Sequence, residues 1–250
     1  MASKYFTVEV KPTIAASKQH EAQFANGDLL FDWTSFQLPR GANRLINATA
    51  LVRPKGDAAP TNNPYPFQLV FGKSDTQSIG TVNGACHNRP TNDFLGFVEF
   101  QAGDYLSNGI DSTTMANLGS HVNPIRPVVL QGDITTGDNV GYDTLYVAAI
   151  CNGTSMDFQT IIRLNDASGN MDVSVAGTTI ATDGSGMDIQ EHFIAGDVLH
   201  AHDDAVIGTV ASVTDATDLE LTSNFTADAL ADNDYVYNIH PIRLILQFER

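Results

Sequence analysis

Positive charge is scarce in this sequence, with 13 Lys and Arg against 29 Asp and Glu and a formal net charge of −16. A chain with that balance is repelled by phosphate backbones within about a Debye length, which argues against nucleic acid as its main partner. Cysteine is scarcer still. Cys86 and Cys151 stand far apart and make no disulfide framework, so both read as free thiols, with Cys151 buried in the apolar run Leu145 to Cys151. No stretch approaches the run of about 20 apolar residues that a membrane helix needs. The segment Met1 to Val10 lacks the apolar core of a secretory signal, which predicts retention in the cytoplasm unless an assembly carries the chain out. Dinucleotide and phosphate-loop glycine patterns are missing, as is a calcium loop with its bidentate Glu. Asp183-Gly184-Ser185-Gly186 lacks both the spacing and the strand-to-helix setting of a nucleophile elbow and reads as a turn.

What is present is the composition of a packed globular protein, 42% apolar and 17% charged over 250 residues. Gly, Pro, Asn, Asp and Thr recur at short intervals between runs rich in β-branched and aromatic residues, and no helical period lasts. Strands are predicted at Asp28 to Leu38, Arg44 to Arg53, Phe67 to Gly72, Phe94 to Gln101, Asp143 to Cys151 and Asp157 to Asn165. In the last strand Ile242, Leu244, Leu246 and Phe248 share one face and Arg243, Gln247 and Glu249 the other, the alternation of a half-buried strand. Phe158, Ile162 and Leu164 alternate in the same way. Between Arg163 and Arg243 there is no Lys or Arg, while Asp and Glu recur from Asp166 to Asp234. So abrupt a shift marks a domain boundary. The expectation is an all-β chain: a sandwich or jelly-roll-like main domain over residues 1–165 plus 239–250, and a small acidic β-barrel, 172–238, inserted before the last strand. If the bracketing strands are neighbours in one sheet, replacing Asn170 to Asn238 with a short turn is expected to be tolerated.

A resemblance enters at the acidic segment. Gly196-Asp197-Val198-Leu199-His200-Ala201, then Ile207-Gly208-Thr209-Val210-Ala211-Ser212-Val213, Asp218-Leu219-Glu220-Leu221 and Ala231-Asp232-Asn233-Asp234-Tyr235-Val236-Tyr237 resemble a compact β-barrel module of tailed-phage virion proteins, especially of phages of marine bacteria. The resemblance implies a virion structural protein, non-enzymatic, assembled in the host cytoplasm and most readily a capsid decoration or cement subunit. Its partners would be copies of itself in a closed ring, a trimer first, and the major capsid or other virion proteins, with no membrane and no cofactor. A tail or fibre component that binds a host receptor or glycan is the alternative, favoured if Phe225, Tyr235 and Tyr237 are exposed. The self-contacts are expected at Phe67 to Phe71 and Phe94 to Phe100, strands that read as apolar on both faces. Lys4, Lys11 and Lys18 would mark a docking end, with the acidic module turned away from it.

Several groupings invite chemistry. His200 and His202, with Glu191 and His192 nearby, could share a strand face and reach one divalent ion. Asp203-Asp204-Ala205 more simply reads as a hairpin turn carrying solvated histidines. Asp28/Asp32 beside Trp33 and Glu99/Asp104 beside Phe100 and Tyr105 are the carboxylate pairs a glycosidase would need, but acids this numerous adjoin aromatics freely. Trp33, the only tryptophan, shares a predicted face with Leu29 and Phe31 and reads as core. No catalytic, cofactor or metal residue is assigned.

Overall fold

The computed structural model describes residues 5–55, 63–87, 93–106, 114–118, 128–130, 142–159, 162–164, 176–182, 189–226, 230 and 234–250. Among the described residues the fold is nearly all β, 55% strand and 7% helix. In order the elements are β1 (Tyr5–Val10), α1 (Ala16–Glu21), β2 (Leu29–Pro39), β3 (Asn43–Val52), β4 (Phe67–Gly72), β5 (Phe94–Phe100), β6 (Thr114–Leu118), β7 (Val128–Leu130) and β8 (Tyr142–Cys151). They continue with β9 (Ile162–Arg163), β10 (Thr179–Ala181), β11 (Val198–Ala201), β12 (Val206–Val213), β13 (Asp218–Leu221), β14 (Tyr235–Asn238) and β15 (Ile242–Glu249).

These strands build antiparallel sheets in the orders β1-β15-β3-β6, with β7 also on β3, β2-β8-β4-β5, and β10-β13-β12-β11-β14-β9. The first two face each other as a sandwich. Phe36 of β2 bridges them, its ring 6.4 Å from Phe248 of β15 and 6.2 Å from Phe71 of β4. β1 lies against β2 and β7 against β5, so the layers approach at both margins. At the second margin Gly96, with φ +156°, is required: a Cβ there would stand 2.8 Å from Cγ1 of Val128.

Period-2 alternation decides which side chains enter the core, and bulges reset its phase. In β15 the four apolar residues expected inside are buried, and Arg243 and Gln247 are exposed. Its partner β3 pairs Asn47 with Gln247 but Leu45 with Phe248, leaving Ile46 as an extra residue. That bulge lets both Leu45 and Ala48 face inward, which unbroken alternation forbids. Two such shifts in β2 undo the face predicted for Trp33. Leu30 and Phe31 enter the sandwich core, whereas Leu29 and Trp33 turn outward beneath the 73–87 loop, against Ile79, Val82 and Ala148. The indole N–H donates to Gln77 O at 3.0 Å.

The strands expected to be apolar on both faces differ from each other. β4 buries Phe67, Leu69 and Phe71 and turns Gln68 and Val70 out, half-buried. β5 buries Val98 and Phe100 but leaves Phe94 43% and Phe97 61% exposed.

The two strands bracketing the acidic segment are not neighbours. β15 pairs with β1 and β3, whereas β9 pairs with β14 at Arg163↔Tyr235 and Ile162↔Val236. The sheet formed by the acidic segment thus takes in β9 from before the predicted boundary, and one hydrophobic cluster runs from Val10 through Ile162 to Leu221 and Phe248. The turns expected at 165–170 and 183–186 lie outside the described residues. Both cysteines are free, and Cys151 is buried.

Candidate functional site

Where the acidic segment's sheet meets β3 and β15, a polar seam interrupts the apolar packing. Arg53 follows the last residue of β3, and its backbone N–H donates to Pro241 O at 2.9 Å, which fixes the side chain at the seam. The guanidinium lies 5.9 Å over the Phe193 ring. Its Nη2 stands 3.7 Å from Asp197 Oδ2, and its buried Nη1 has no hydrogen-bond partner. Burial pulls Arg53 down to about 10, with Asp197 opposing the shift.

Asp197 is satisfied elsewhere. Its Oδ2 accepts from Asn238 Nδ2 at 2.7 Å and from the Ile194 N–H at 3.1 Å. The Asn238 amide also donates to His192 O at 3.1 Å, and its Oδ1 accepts the His240 N–H at 2.8 Å. From α1 the buried Gln19 Nε2 donates to Ile14 O at 2.7 Å and to Asn238 O at 3.0 Å. Thus residues from α1, β3 and β14 and the loop before β11 share one network. His192 is 2% exposed and its Nε2 has no partner. Burial, reinforced by the Arg53 charge, holds its imidazole well below its ordinary range.

In front of Arg53 opens a cavity of about 180 Å³ lined by Lys11, Arg53, Glu191, Asp197, His240 and Arg243, among others. Arg243 is tied down by Glu9, with Nε to Oε1 at 2.7 Å and Nη2 to Oε2 at 2.9 Å. The Arg243 hydrogen bond is the main reason the Glu9 carboxyl sits below its usual range, outweighing the opposing effect of burial with help from the Arg243 and Lys11 charges. The charged groups of the lining are thus three cations, Lys11, Arg53 and Arg243, beside the carboxylates of Glu191 and Asp197.

A second junction joins the β11–β12 hairpin to α1. Asp204, at φ +72° in the turn, accepts from the Ser17 N–H at 2.9 Å and the Ser17 hydroxyl at 2.6 Å. Burial raises the Asp204 carboxyl, but the Ser17 and Ala16 bonds and the nearby His200 outweigh it and leave it below its usual range. His20 Nδ1 lies 2.7 Å from the Tyr237 hydroxyl, and its ring is 5.2 Å from that of His202.

The hairpin turn at Asp203-Asp204 is as expected, but its histidines part company. His200 Nδ1 is 3.2 Å from Asp204 O, whereas exposed His202 stacks toward α1. Among the described residues no three His, Cys, Asp or Glu side chains gather as a metal site. The carboxylate pairs serve the backbone or an amide: Asp28 accepts from the Ala25 N–H, Asp32 from the Trp33 N–H, Asp104 from the Gln101 N–H and Glu99 from Asn152 Nδ2. Of the three aromatics whose exposure would favour the tail or fibre alternative, Phe225 and Tyr237 are each 2% exposed and Tyr235 is partly accessible. The predicted opposition of basic and acidic ends fails too. Pro12 O meets His240 Nδ1 at 3.0 Å, and Lys18 lies on α1 against β11 and β14, so the 11–18 stretch sits beside the acidic segment. Lys4 lies outside the described residues. Arg53 went unnoticed in the sequence, its only signal being an Arg just past an apolar strand end.

The chain matches no protein-family model and no curated protein. Among the described residues no helix is long and apolar enough to cross a membrane.

The seam gives a pH expectation. A histidine held neutral by the fold leaves stability intact above its unfolded value of 6.5 and draws stability down as pH falls below it, because the unfolded chain then binds a proton the folded chain refuses. Glu9 and Asp204, depressed from 4.5 and 3.8, lose their contributions only at lower pH. Urea melts should therefore show stability falling by up to about 1.4 kcal/mol per pH unit just below pH 6.5. His192→Gln should flatten that limb, and an unchanged slope in the variant would mean His192 is not its source.

Proposed function

We propose that the chain is a structural subunit of a tailed-phage particle, a capsid decoration protein that works by assembly and not by turnover. Its partners in this reading are copies of itself, a trimer first, and neighbouring shell proteins, and its place is the virion. The observation that carries the reading is the apolar margin at β5. A chain of net charge −16 nonetheless exposes Phe94 by 43%, Phe97 by 61% and, on adjoining β7, Val129 by 55%. Large apolar groups on a sheet margin, within an otherwise anionic and self-repelling exterior, suit a specific contact between subunits. The resemblance of residues 196–237 to a virion module supplies the particle.

Light scattering at micromolar concentration should find an oligomer, and Phe97→Glu should shift it toward monomer. Stability of that variant's isolated subunit should stay within about 0.5 kcal/mol, since an exposed site contributes little to folding. Mass spectrometry of purified particles should place the chain there at high, symmetric copy number. A chain that is monomeric both in solution and in the particle, or absent from particles, would overturn the proposal.

A further inference from the structure

We propose that the seam cavity is a receptor for a small monocarboxylate, anchored by Arg53. Arg53 lines both the cavity of about 180 Å³ and a small void of about 10 Å³, the latter shared with His192 and Gln19. Neither edge of its guanidinium is matched: Nη1 has no partner, and Nη2 stands 3.7 Å from a carboxylate whose Oδ2 already accepts from Asn238 and Ile194. A largely buried guanidinium without bonded partners is costly to keep, whereas a planar carboxylate would take two of its N–H groups in parallel.

The small void has room for no more than about one water. The ligand therefore belongs in the outer cavity. That space exceeds the ~150 Å³ that accepts a benzene-sized molecule, so a body of that size fits behind the carboxylate. Leu51, Ile194 and Pro241 offer apolar walls, and Asn238 and His240 polar ones. Charge selects a single negative unit. Lys11, Arg53 and Arg243 are opposed by Glu191 and Asp197 in the lining, and Glu9 already engages Arg243 and Lys11, so a phosphate dianion meets more repulsion than a monocarboxylate. This site is independent of any role on a particle.

The test titrates the full chain with sodium benzoate, sodium acetate and inorganic phosphate against sodium chloride of equal ionic strength, read by calorimetry and thermal melting. Benzoate should give saturable heat and a melting temperature that rises with concentration, with acetate weaker and phosphate weakest. Arg53→Lys keeps the charge but loses the fork and should bind benzoate at least about tenfold more weakly. Since a seam substitution can cost folding, Ile194→Trp provides the second variant. Ile194 is 60% exposed at the rim, and the larger side chain should close the entrance without touching the core. No saturable response beyond chloride, or one that both variants leave unchanged, overturns the proposal.

Discussion

Replacing residues 170–238 with a short Gly/Ser turn is expected to yield a chain that is insoluble or melts without cooperativity, the reverse of what the acidic composition suggests. The segment is tied to the rest along its length. β9 loses both backbone partners on β14, and Leu164 loses its N–H bond to Asp234 O at 2.8 Å. α1 loses the Asp204 carboxylate that receives Ser17 and the Asn238 carbonyl that receives buried Gln19. Ile162, Leu164 and Phe158 belong to a hydrophobic cluster that continues into Leu199, Val210 and Leu219. Uncovering even a few such side chains costs about 1.5–3 kcal/mol each, and the sum rivals the ~5–15 kcal/mol by which whole proteins are stable. Arg53 would in addition lose Asp197, whose Oδ2 stands 3.7 Å from its Nη2. Near-UV circular dichroism and a urea melt of the shortened chain decide the matter. A soluble product with a sharp transition would show that the segment is an independent unit whose contacts with α1 and β9 contribute little.

The contrast between that expectation and the composition shows what a sequence carries. Local alternation is written in the order of residues, so β15 was legible with the right face inward, and β4 and β8 were legible as strands. Pairing across long separations is not. Nothing in the Phe158 to Leu164 pattern indicates that Ile162 lies beside Val236 and not beside the similarly patterned β15. Bulges are equally silent, because an extra residue such as Ile46 changes no composition yet inverts every later side chain, and the same device turns Trp33 out of the sandwich core. The absence of Lys and Arg between 163 and 243 was a true feature of the sequence, but it does not separate a unit: among the described residues Asp203, Asp204 and Asp215 are exposed while Asp197 lies in the seam, and the segment's apolar side chains are continuous with the rest of the core. The seam escaped notice for a related reason. Arg53, Asp197 and Asn238 are scattered along the chain, and only the third sheet's approach to β3 makes them one site.

Phe248→Ala tests the sandwich itself and should be the most damaging single substitution considered. Phe248 is fully buried on the central strand of its sheet, opposite Phe6 on β1 and Leu45 on β3. Its ring stacks on Phe6 at 5.4 Å between centroids and reaches across the layers to Phe36 at 6.4 Å. Truncation removes the ring's transfer free energy and leaves a cavity that two backbone ladders prevent from collapsing, which costs about 3–5 kcal/mol, including the loss of aromatic pairing worth about 0.5–1.5 kcal/mol. In a urea melt the midpoint should fall while the slope stays constant, because the same surface is exposed on unfolding. Phe97→Ala is the matched control, the same chemical change on a ring 61% exposed, and should move the isolated subunit's stability by no more than about 0.5 kcal/mol. The difference between the two is what distinguishes the inner face of the sandwich from its margin. If Phe248→Ala costs no more than Phe97→Ala, the ring is not held between two sheets, and the packing of β15 against β2 is wrong.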